Sequence, residues 1–151
     1  MQYWLMKTEP STFGLHHLQQ KPNQTAYWDG VRNYQARNML RDQMKRGDLA
    51  LLYHSNCSPP GIAAVVEIVR EGYVDFTAFD PKSHYYDPKS DPTHPRWFMV
   101  DIKLVNVFER FIPLTELRMQ PGLEELVILR KGNRLSITPV TRAQWDIIIN
   151  L

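Results

Sequence analysis

Five short stretches of this chain combine a flat aromatic ring with side chains that donate or accept hydrogen bonds. They are Trp4 with Lys7, Thr8 and Glu9; Trp28 with Arg32, Asn33 and Tyr34; Tyr53 with His54, Ser55 and Asn56; Tyr85 and Tyr86 with Asp87; and Arg96 with Trp97. A ring can stack on a planar heterocycle while polar groups read its edge, which is the combination that holds an unpaired base. Single rings of this kind usually pack in a core, so the recurrence of the pattern is what indicates a binding site.

The common signatures of catalysis are missing from the sequence. It contains no glycine-rich phosphate loop, nucleophile elbow, zinc-protease helix or paired Cys-x-x-Cys. Cys57 and His54 are three residues apart, which on a strand places them on opposite faces and disfavours a thiol nucleophile. The acidic and histidine side chains between Asp80 and Pro95 match neither a zinc site nor a calcium loop. We therefore predict a binding module that is not an enzyme and needs no metal or cofactor.

Size and composition are those of one ordinary globular domain. The chain has 151 residues, of which 43% are hydrophobic and 23% charged, enough for a core without disulfides. A net charge of +2 attracts polyanions only mildly, so contacts with phosphates must be local. A lone cysteine excludes an internal disulfide, and neither a signal peptide nor a membrane-spanning stretch is visible. These features predict one domain over residues 1–151, a cytoplasmic location and no membrane partner.

Apolar periodicity and turn residues predict strands mixed with short helices. The predicted strands are Tyr3–Thr8, Gly47–His54, Ile62–Val69, Trp97–Phe108 and Arg134–Thr138. The predicted helices are a short one after Ser11, then Tyr34–Arg46 capped by Asn33, Leu114–Met119, Leu123–Leu129, and Thr141–Asn150 with a capping box at Thr141 and Gln144 and with Trp145, Ile148 and Ile149 facing inward. Without a repeated strand–helix–strand rhythm, this order indicates an α+β domain built on a curved sheet or small barrel.

Two further features lie outside the predicted core. Arg37, Arg41 and Lys45 follow one another at four-residue spacing on the predicted helix Tyr34–Arg46, a basic stripe that either contacts phosphates or is simply solvated. Residues Asp80–Pro95 form a long proline-rich segment, and loops of this length inside a domain are usually functional or disordered. The tyrosines within that segment favour a functional loop.

At these clusters the sequence closely resembles the EVE-domain family of the PUA-like superfamily. The matching stretches are Tyr3–Pro10, Trp28–Asn38, Tyr53–Asn56, Tyr85–Ser90, Pro95–Trp97 and Val100–Asp101, in this order along the chain. The family commonly has serine where Thr8 stands, so the hydroxyl group is kept. The last third of the chain is compatible with the family but carries no distinctive motif.

The resemblance implies a PUA-like fold, a small curved mixed β-barrel decorated by short helices. It also implies a reader that captures a flipped or unpaired modified base, 5-methylcytosine or an oxidised derivative, in DNA with RNA not excluded. The expected pocket has Lys7, Thr8 and Glu9 as one wall, Tyr53, His54 and Ser55 as its floor, and Trp28, Tyr85 or Trp97 as stacking faces. Asn33, Tyr34 and Asp87 complete the expected base-binding set. Phosphates are expected to meet Arg32, Arg37 and Arg41.

Two alternative functions remain open from the sequence. A related PUA-like family, the ASCH domains, acts on modified cytidine, and a hydrolase of that type would use Lys7 and Glu9 as acid and base. An aromatic groove can also capture a peptide, which would make the chain a protein-interaction module. Turnover of a cytidine substrate identifies the first alternative, and binding that nucleic acid does not compete for identifies the second.

Overall fold

The computed structural model describes all residues from 1 to 151 and consists of one mixed β-sheet with short helices. The strands are β1 (Tyr3–Thr8), β2 (Thr25–Tyr27), β3 (Leu49–His54), β4 (Gly61–Val74), β5 (Phe98–Pro113) and β6 (Ile137–Val140). The helices are α1 (Leu15–Gln20), α2 (Tyr34–Asn38, continued by a π-helical turn at Met39–Gln43), α3 (Leu114–Met119) and α4 (Arg142–Ile149), with short 3-10 turns at Pro22–Gln24, Phe76–Phe79 and Val127–Leu129. None of these helices has the length and apolarity needed to cross a membrane.

The six strands lie in the order β2-β5-β4-β3-β1-β6. β1 runs parallel to β3, from the pair Tyr3–Leu49 to the pair Thr8–His54, while every other neighbouring pair is antiparallel. Repeated register shifts between β4 and β5 bend these two long strands, since a bulge adds local twist. The α+β class and the curved mixed sheet are thus confirmed, but the sheet is curled with free edges at β2 and β6 and does not close into a barrel.

Both faces of the central strands are buried. Along β1, Trp4 and Met6 join one core cluster with residues of α2, while Leu5 joins a second cluster that includes Trp145 of α4. Successive side chains of a strand point to opposite faces, so an uninterrupted apolar run fits a strand that is covered on both sides. The ends of β1 and β3, where polar residues begin, therefore emerge between the two clusters.

Several predicted boundaries are wrong in detail. The helix that begins after Asn33 ends at Gln43, because the buried Asp48 carboxylate accepts the Lys45 amide hydrogen and turns the chain. Leu123–Leu129 holds only one 3-10 turn, and the last strand lies at Ile137–Val140 rather than at Arg134–Thr138. The Thr141–Gln144 capping box forms as predicted, but Ile149 faces outward.

Candidate functional site

A cavity of about 270 Å³ opens where β1 ends. It is lined by Lys7, Thr8, Glu9, Thr12, Trp28, Asp29, Gly30, Val31, His84, Tyr85 and Ser136. We call this space the β1 cavity. It brings together side chains from three of the five aromatic and polar clusters found in the sequence. The structure thus assembles one wall and two rings of the predicted pocket from distant parts of the chain.

The first wall of the β1 cavity is the end of β1 itself. Thr8 donates its hydroxyl hydrogen to the carbonyl oxygen of Phe13 at 2.7 Å, which leaves its oxygen free to accept. The Lys7 amide donates to the Ser136 carbonyl at 2.8 Å and so joins the wall to the segment before β6. Glu9 is exposed at the mouth. Three consecutive polar residues, Lys7, Thr8 and Glu9, therefore line one space.

The opposite wall is the segment after β2, against which the Tyr85 ring packs. Gly30 has a φ of +82°, and a Cβ atom there would lie only 2.6 Å from the ring carbons of Tyr85. A side chain at this position would therefore collide with Tyr85 and strain the backbone. Glycine at position 30 lets an aromatic ring from the Asp80–Pro95 loop close over the cavity, so this loop contributes to the cavity wall.

Asp75 organises this wall, although the sequence clusters did not include it. Its fully buried carboxylate accepts from the Gly30 amide at 2.9 Å and from Arg32 Nη1 at 3.0 Å. It also accepts from the amide and the hydroxyl of Thr77. The Asp-x-Thr pattern at the start of a helical turn is a capping signal that could have pointed to this residue, but not to its partners 43 and 45 positions earlier.

The Arg32 guanidinium makes hydrogen bonds within the protein and is not free to bind a ligand. All of its five N–H donors are engaged, by the Tyr85 carbonyl twice, the Val31 carbonyl, Asp75 and Thr77. A phosphate could reach this guanidinium only by displacing one of those bonds. The prediction that Arg32 binds phosphate is therefore corrected to a positioning role, in which it ties the Tyr85 backbone to the wall.

Trp97 stacks on Tyr34 and lines a neighbouring space, which we call the outer cleft. The outer cleft is lined by Arg32, His84, Tyr85, Tyr86, Asp87, Arg96 and Trp97. The ring centroids of Trp97 and Tyr34 are 4.8 Å apart, and Arg32 lies 5.4 Å from the Trp97 ring. Trp97 is only 6% exposed and donates its indole hydrogen to Asp87, which lowers the pKa of that carboxyl. A ring already covered in this way has little face left for a base. Trp97 and Asp87 lie in the wall of the outer cleft and do not line the β1 cavity.

Four other predicted residues lie outside the β1 cavity. Tyr53 is buried in the second core cluster, because it faces the other side of the sheet. His54 accepts the Leu15 amide hydrogen, and burial lowers the pKa of its imidazole. Ser55 donates to the Thr8 carbonyl, and Asn33 caps α2 by accepting from the Ala36 amide. The expected floor of Tyr53, His54 and Ser55 is thus wrong; these residues support the site from behind.

The basic stripe of α2 is only partly available. Arg37 donates to the Arg96 carbonyl at 2.6 Å and to Asn38, which leaves three of its five donors free. Arg41 forms a two-pronged pair with the exposed Asp42 carboxylate, so its charge is largely balanced. Arg37 is therefore the better placed of the two for a phosphate.

Asp29, which the sequence did not single out, is a carboxyl of the cavity wall whose pKa is raised. Burial raises the pKa of this group above its ordinary value, and the negative charge of Asp75 raises it further. Perturbed carboxyl groups in a cleft are typical of functional sites. Asp29 is therefore well placed to accept a hydrogen bond from a donor group of a bound ligand.

Replacing Asp29 with asparagine is expected to stabilise the folded protein at neutral pH. Because the folded pKa lies above the ordinary value of 3.8, ionised Asp29 disfavours folding above the folded pKa, and this penalty vanishes below the unfolded pKa. The melting temperature of Asp29→Asn should exceed that of the native chain at neutral pH, and the difference should shrink as pH falls. Thermal unfolding across an acidic pH series measures this, and an equal or lower melting temperature at neutral pH would contradict it.

Comparison with known proteins identifies relatives that match nearly the whole chain. The family model for the EVE domain matches residues 2–151. Thymocyte nuclear protein 1 of Homo sapiens is 43% identical over 165 aligned positions, which cover 99% of this chain and 73% of that protein. The match spans all the elements that build the β1 cavity.

Solved structures agree over the same length. A protein from Pseudomonas syringae superimposes with a TM-score of 0.92 at 47% identity, covering 98% of this chain and 97% of the other. Human THYN1 protein, solved in complex with 5-methylcytosine-containing DNA, superimposes with a TM-score of 0.93 at 42% identity, covering 99% and 96%. An ASCH protein from Zymomonas mobilis reaches a TM-score of 0.57 at 9% identity, a likeness of fold alone.

The comparisons correct the expected location. Relatives from Danio rerio, Homo sapiens, Gallus gallus and Mus musculus that align with 98–99% of the chain are all named as nuclear proteins. The cytoplasmic location predicted from the sequence is therefore wrong by this comparison. The absence of a signal peptide and of an apolar span, on which it was based, does not distinguish one intracellular compartment from another.

Proposed function

This chain belongs to the EVE domain family, and we propose that it binds nucleic acid as a reader that holds one flipped or unpaired base, 5-methylcytosine or an oxidised derivative, in the β1 cavity. The observation that carries the proposal is that Lys7, Thr8 and Glu9 line the same space of about 270 Å³ as Tyr85. That volume is just below the roughly 300 Å³ at which pockets for larger drug-sized ligands begin, and it suits a single heterocycle. The complex of human THYN1 with 5-methylcytosine-containing DNA supports the same ligand here.

The groups of the cavity complement the edge of cytosine. Cytosine offers an amino group as donor, and carboxylates are the side chains that commonly accept from it. Glu9 and Asp29 supply carboxyl oxygens on two sides of the β1 cavity, and Lys7 supplies donors for the ring nitrogen and carbonyl oxygen. The apolar faces of Trp28 and Tyr85 offer the surroundings that a 5-methyl group requires.

The free-energy cost of extracting a base sets how many contacts the β1 cavity must make with it. Extracting a base from a duplex costs a few kcal/mol, while stacking on one ring returns about 1–3 kcal/mol. Stacking on Tyr85 alone is therefore insufficient, and edge contacts from Lys7 and Glu9 are required. Burying the methyl group adds about 0.8 kcal/mol, or up to about 3 kcal/mol in a tight pocket, so the preference for methylation is modest.

Phosphate contacts contribute the remaining affinity. Arg37 keeps free donors on α2, and Arg96, whose side chain is 35% exposed, lies in the outer cleft that shares Tyr85 with the β1 cavity. With a net charge of only +2, these local cations carry most of the attraction for the backbone. Binding should weaken as salt rises, by an amount that reflects a few phosphate contacts.

Replacing Lys7 with alanine is expected to weaken binding of 5-methylcytosine oligonucleotides by roughly tenfold or more, since a charge-assisted hydrogen bond contributes about 1.5–3 kcal/mol. Fluorescence anisotropy with methylated and unmethylated oligonucleotides, both single-stranded and double-stranded, measures the effect. Lys45→Ala removes the same charge from the exposed outer side of the molecule, so it should reduce affinity slightly and equally for all strands. Equal losses for both variants would contradict the proposed pocket.

The native chain and the Lys7→Ala variant also test the hydrolase alternative. Lys7 and Glu9 share the β1 cavity, so incubation with N4-modified cytidine is a direct check. The reader function predicts binding without product. Product formation by the native chain, lost in Lys7→Ala, would replace the reader with an enzyme of the ASCH type.

A further inference from the structure

A second, larger cavity of about 800 Å³ adjoins the β1 cavity. The two share Thr12, Asp29 and Tyr85 in their walls. The remaining walls come from β2, from the far end of β4 and the turn that follows it, and from single residues elsewhere, namely Phe13, Lys21 and Asp101 of β5. We call this space the aromatic groove. No cluster found in the sequence pointed to it, because its rings are far apart along the chain.

Two aromatic rings of the groove, those of Tyr27 and Phe76, are exposed to solvent. Tyr27 is 45% exposed and Phe76 is 51% exposed, and their centroids lie 5.2 Å apart in an edge-to-face arrangement. By contrast, the Tyr73 ring is held by the Asp101 carboxylate at its hydroxyl and by Arg70 at 3.6 Å over its face. Tyr27 and Phe76 thus form an aromatic surface whose apolar faces remain open to a ligand.

The charges of the groove fit a nucleotide. Lys21 and Arg70 are exposed cations in its lining, and the Asp101 carboxylate already accepts from Tyr73. Asp29 lies in the wall common to both cavities. A ring surface with cations beside it matches the sites that track a single strand, where bases stack and phosphates meet Lys or Arg.

We propose that the aromatic groove holds the nucleotide next to the captured base, with its base stacked on Tyr27 and Phe76 and its phosphate near Lys21 and Arg70. This inference rests on the proposed function of the β1 cavity. The shared wall of Thr12, Asp29 and Tyr85 means that two bases joined by one phosphate occupy continuous space. The chain then reads a dinucleotide within an unstacked strand rather than an isolated base.

The test compares ligands that differ by one nucleotide. Competition against a labelled oligonucleotide gives the affinities of 5-methyl-dCMP and of dinucleotides that carry one further nucleotide on the 5′ or the 3′ side. The native chain should bind one of the two dinucleotides roughly tenfold more tightly than the mononucleotide, as one stacked base contributes. A 2-aminopurine at that neighbouring position should lose fluorescence on binding.

Variants assign this gain to the aromatic groove. Phe76→Ala, alone and with Tyr27→Ala, should remove the roughly tenfold gain and the fluorescence change while leaving the affinity for 5-methyl-dCMP unaltered. Phe76→Ala is tested alone because Phe76 lies in a turn with its ring half exposed, whereas Tyr27 is part of the edge strand β2 and contributes to the sheet. Tyr86→Ala is the matched control, since Tyr86 is 42% exposed and outside the groove.

The outcomes separate the two proposals. If mononucleotide and both dinucleotides bind equally, or if Phe76→Ala keeps the full gain, the groove proposal is overturned while the β1 cavity stands. If no ligand shows dependence on Lys7 or on methylation, the proposed function fails and the groove proposal fails with it. A groove that binds a peptide without competition from the dinucleotides would also overturn it.

Discussion

Tyr85→Ala is expected to weaken the binding of 5-methylcytosine DNA by roughly 10- to 100-fold, the largest loss from any single ring. The Tyr85 ring lines the β1 cavity, the outer cleft and the aromatic groove, and it is held over Gly30 by its own backbone contacts with Arg32. Removing it deletes a stacking face and merges three spaces into one that water can fill. Fluorescence anisotropy with methylated and unmethylated strands at constant salt measures the change.

Two controls make this result specific. Tyr86→Ala removes an equally large ring from the next position in the chain, in the outer cleft but not in the β1 cavity, and should change affinity little. Tyr85→Phe keeps the ring and removes a hydroxyl whose pKa burial raises, so this hydroxyl stays neutral and the variant should retain most of the affinity. If Tyr85→Ala and Tyr86→Ala bind alike, the stacking face has been assigned to the wrong residue.

Asp75→Ala is expected to lower the free energy of unfolding by about 3 kcal/mol or more. Asp75 is fully buried, and its loss leaves Arg32, whose side chain is 23% exposed, without its counter-charge. The Gly30 amide and the Thr77 backbone would also lose their acceptor. Urea unfolding followed by circular dichroism measures the change, which should appear as a lower midpoint with an unaltered slope.

A double-mutant cycle shows how much of this loss belongs to the ion pair. With Arg32→Ala already present, Asp75→Ala should cost clearly less than it does alone, because no unpaired guanidinium remains. Asp42→Ala breaks another Arg–Asp pair, that of Arg41 on the exposed side of α2, and should leave the midpoint unchanged. An Asp75→Ala midpoint equal to that of Asp42→Ala would show that the wall of the β1 cavity is organised by something else.

Much of the local structure could be predicted from neighbouring residues alone. The Asn33 cap and the Thr141–Gln144 capping box depend on contacts within a few positions, and both form. The strand Tyr3–Thr8 also forms where its apolar pattern predicts it, although its partners β3 and β6 are distant in sequence. The boundary of the helix after Asn33 was predicted wrongly because it depends on a side chain held by a distant residue. The Asp48 carboxylate accepts the Lys45 amide hydrogen three positions away, and it is itself held by the indole of Trp4, 44 positions away.

Some of the residues predicted for the candidate site line the β1 cavity, and others do not. Lys7, Thr8, Glu9, Trp28 and Tyr85 were predicted and do line the β1 cavity. Tyr53 was predicted with them but faces the opposite core, since a shift of one residue along a strand reverses the face on which a side chain lies.

The sequence by itself determined the family motif, the residue types that the proposed base pocket uses, and the strand end at which they stand. Only the tertiary structure showed that Asp75 anchors Arg32 and that all N–H donors of Arg32 are engaged in internal hydrogen bonds. It also showed that Tyr27 and Phe76 form an exposed aromatic surface beside the β1 cavity. The physical reason is that these contacts join residues tens of positions apart. Which distant side chains meet depends on how β4 and β5 bend and on which face each residue takes, and no local pattern encodes either.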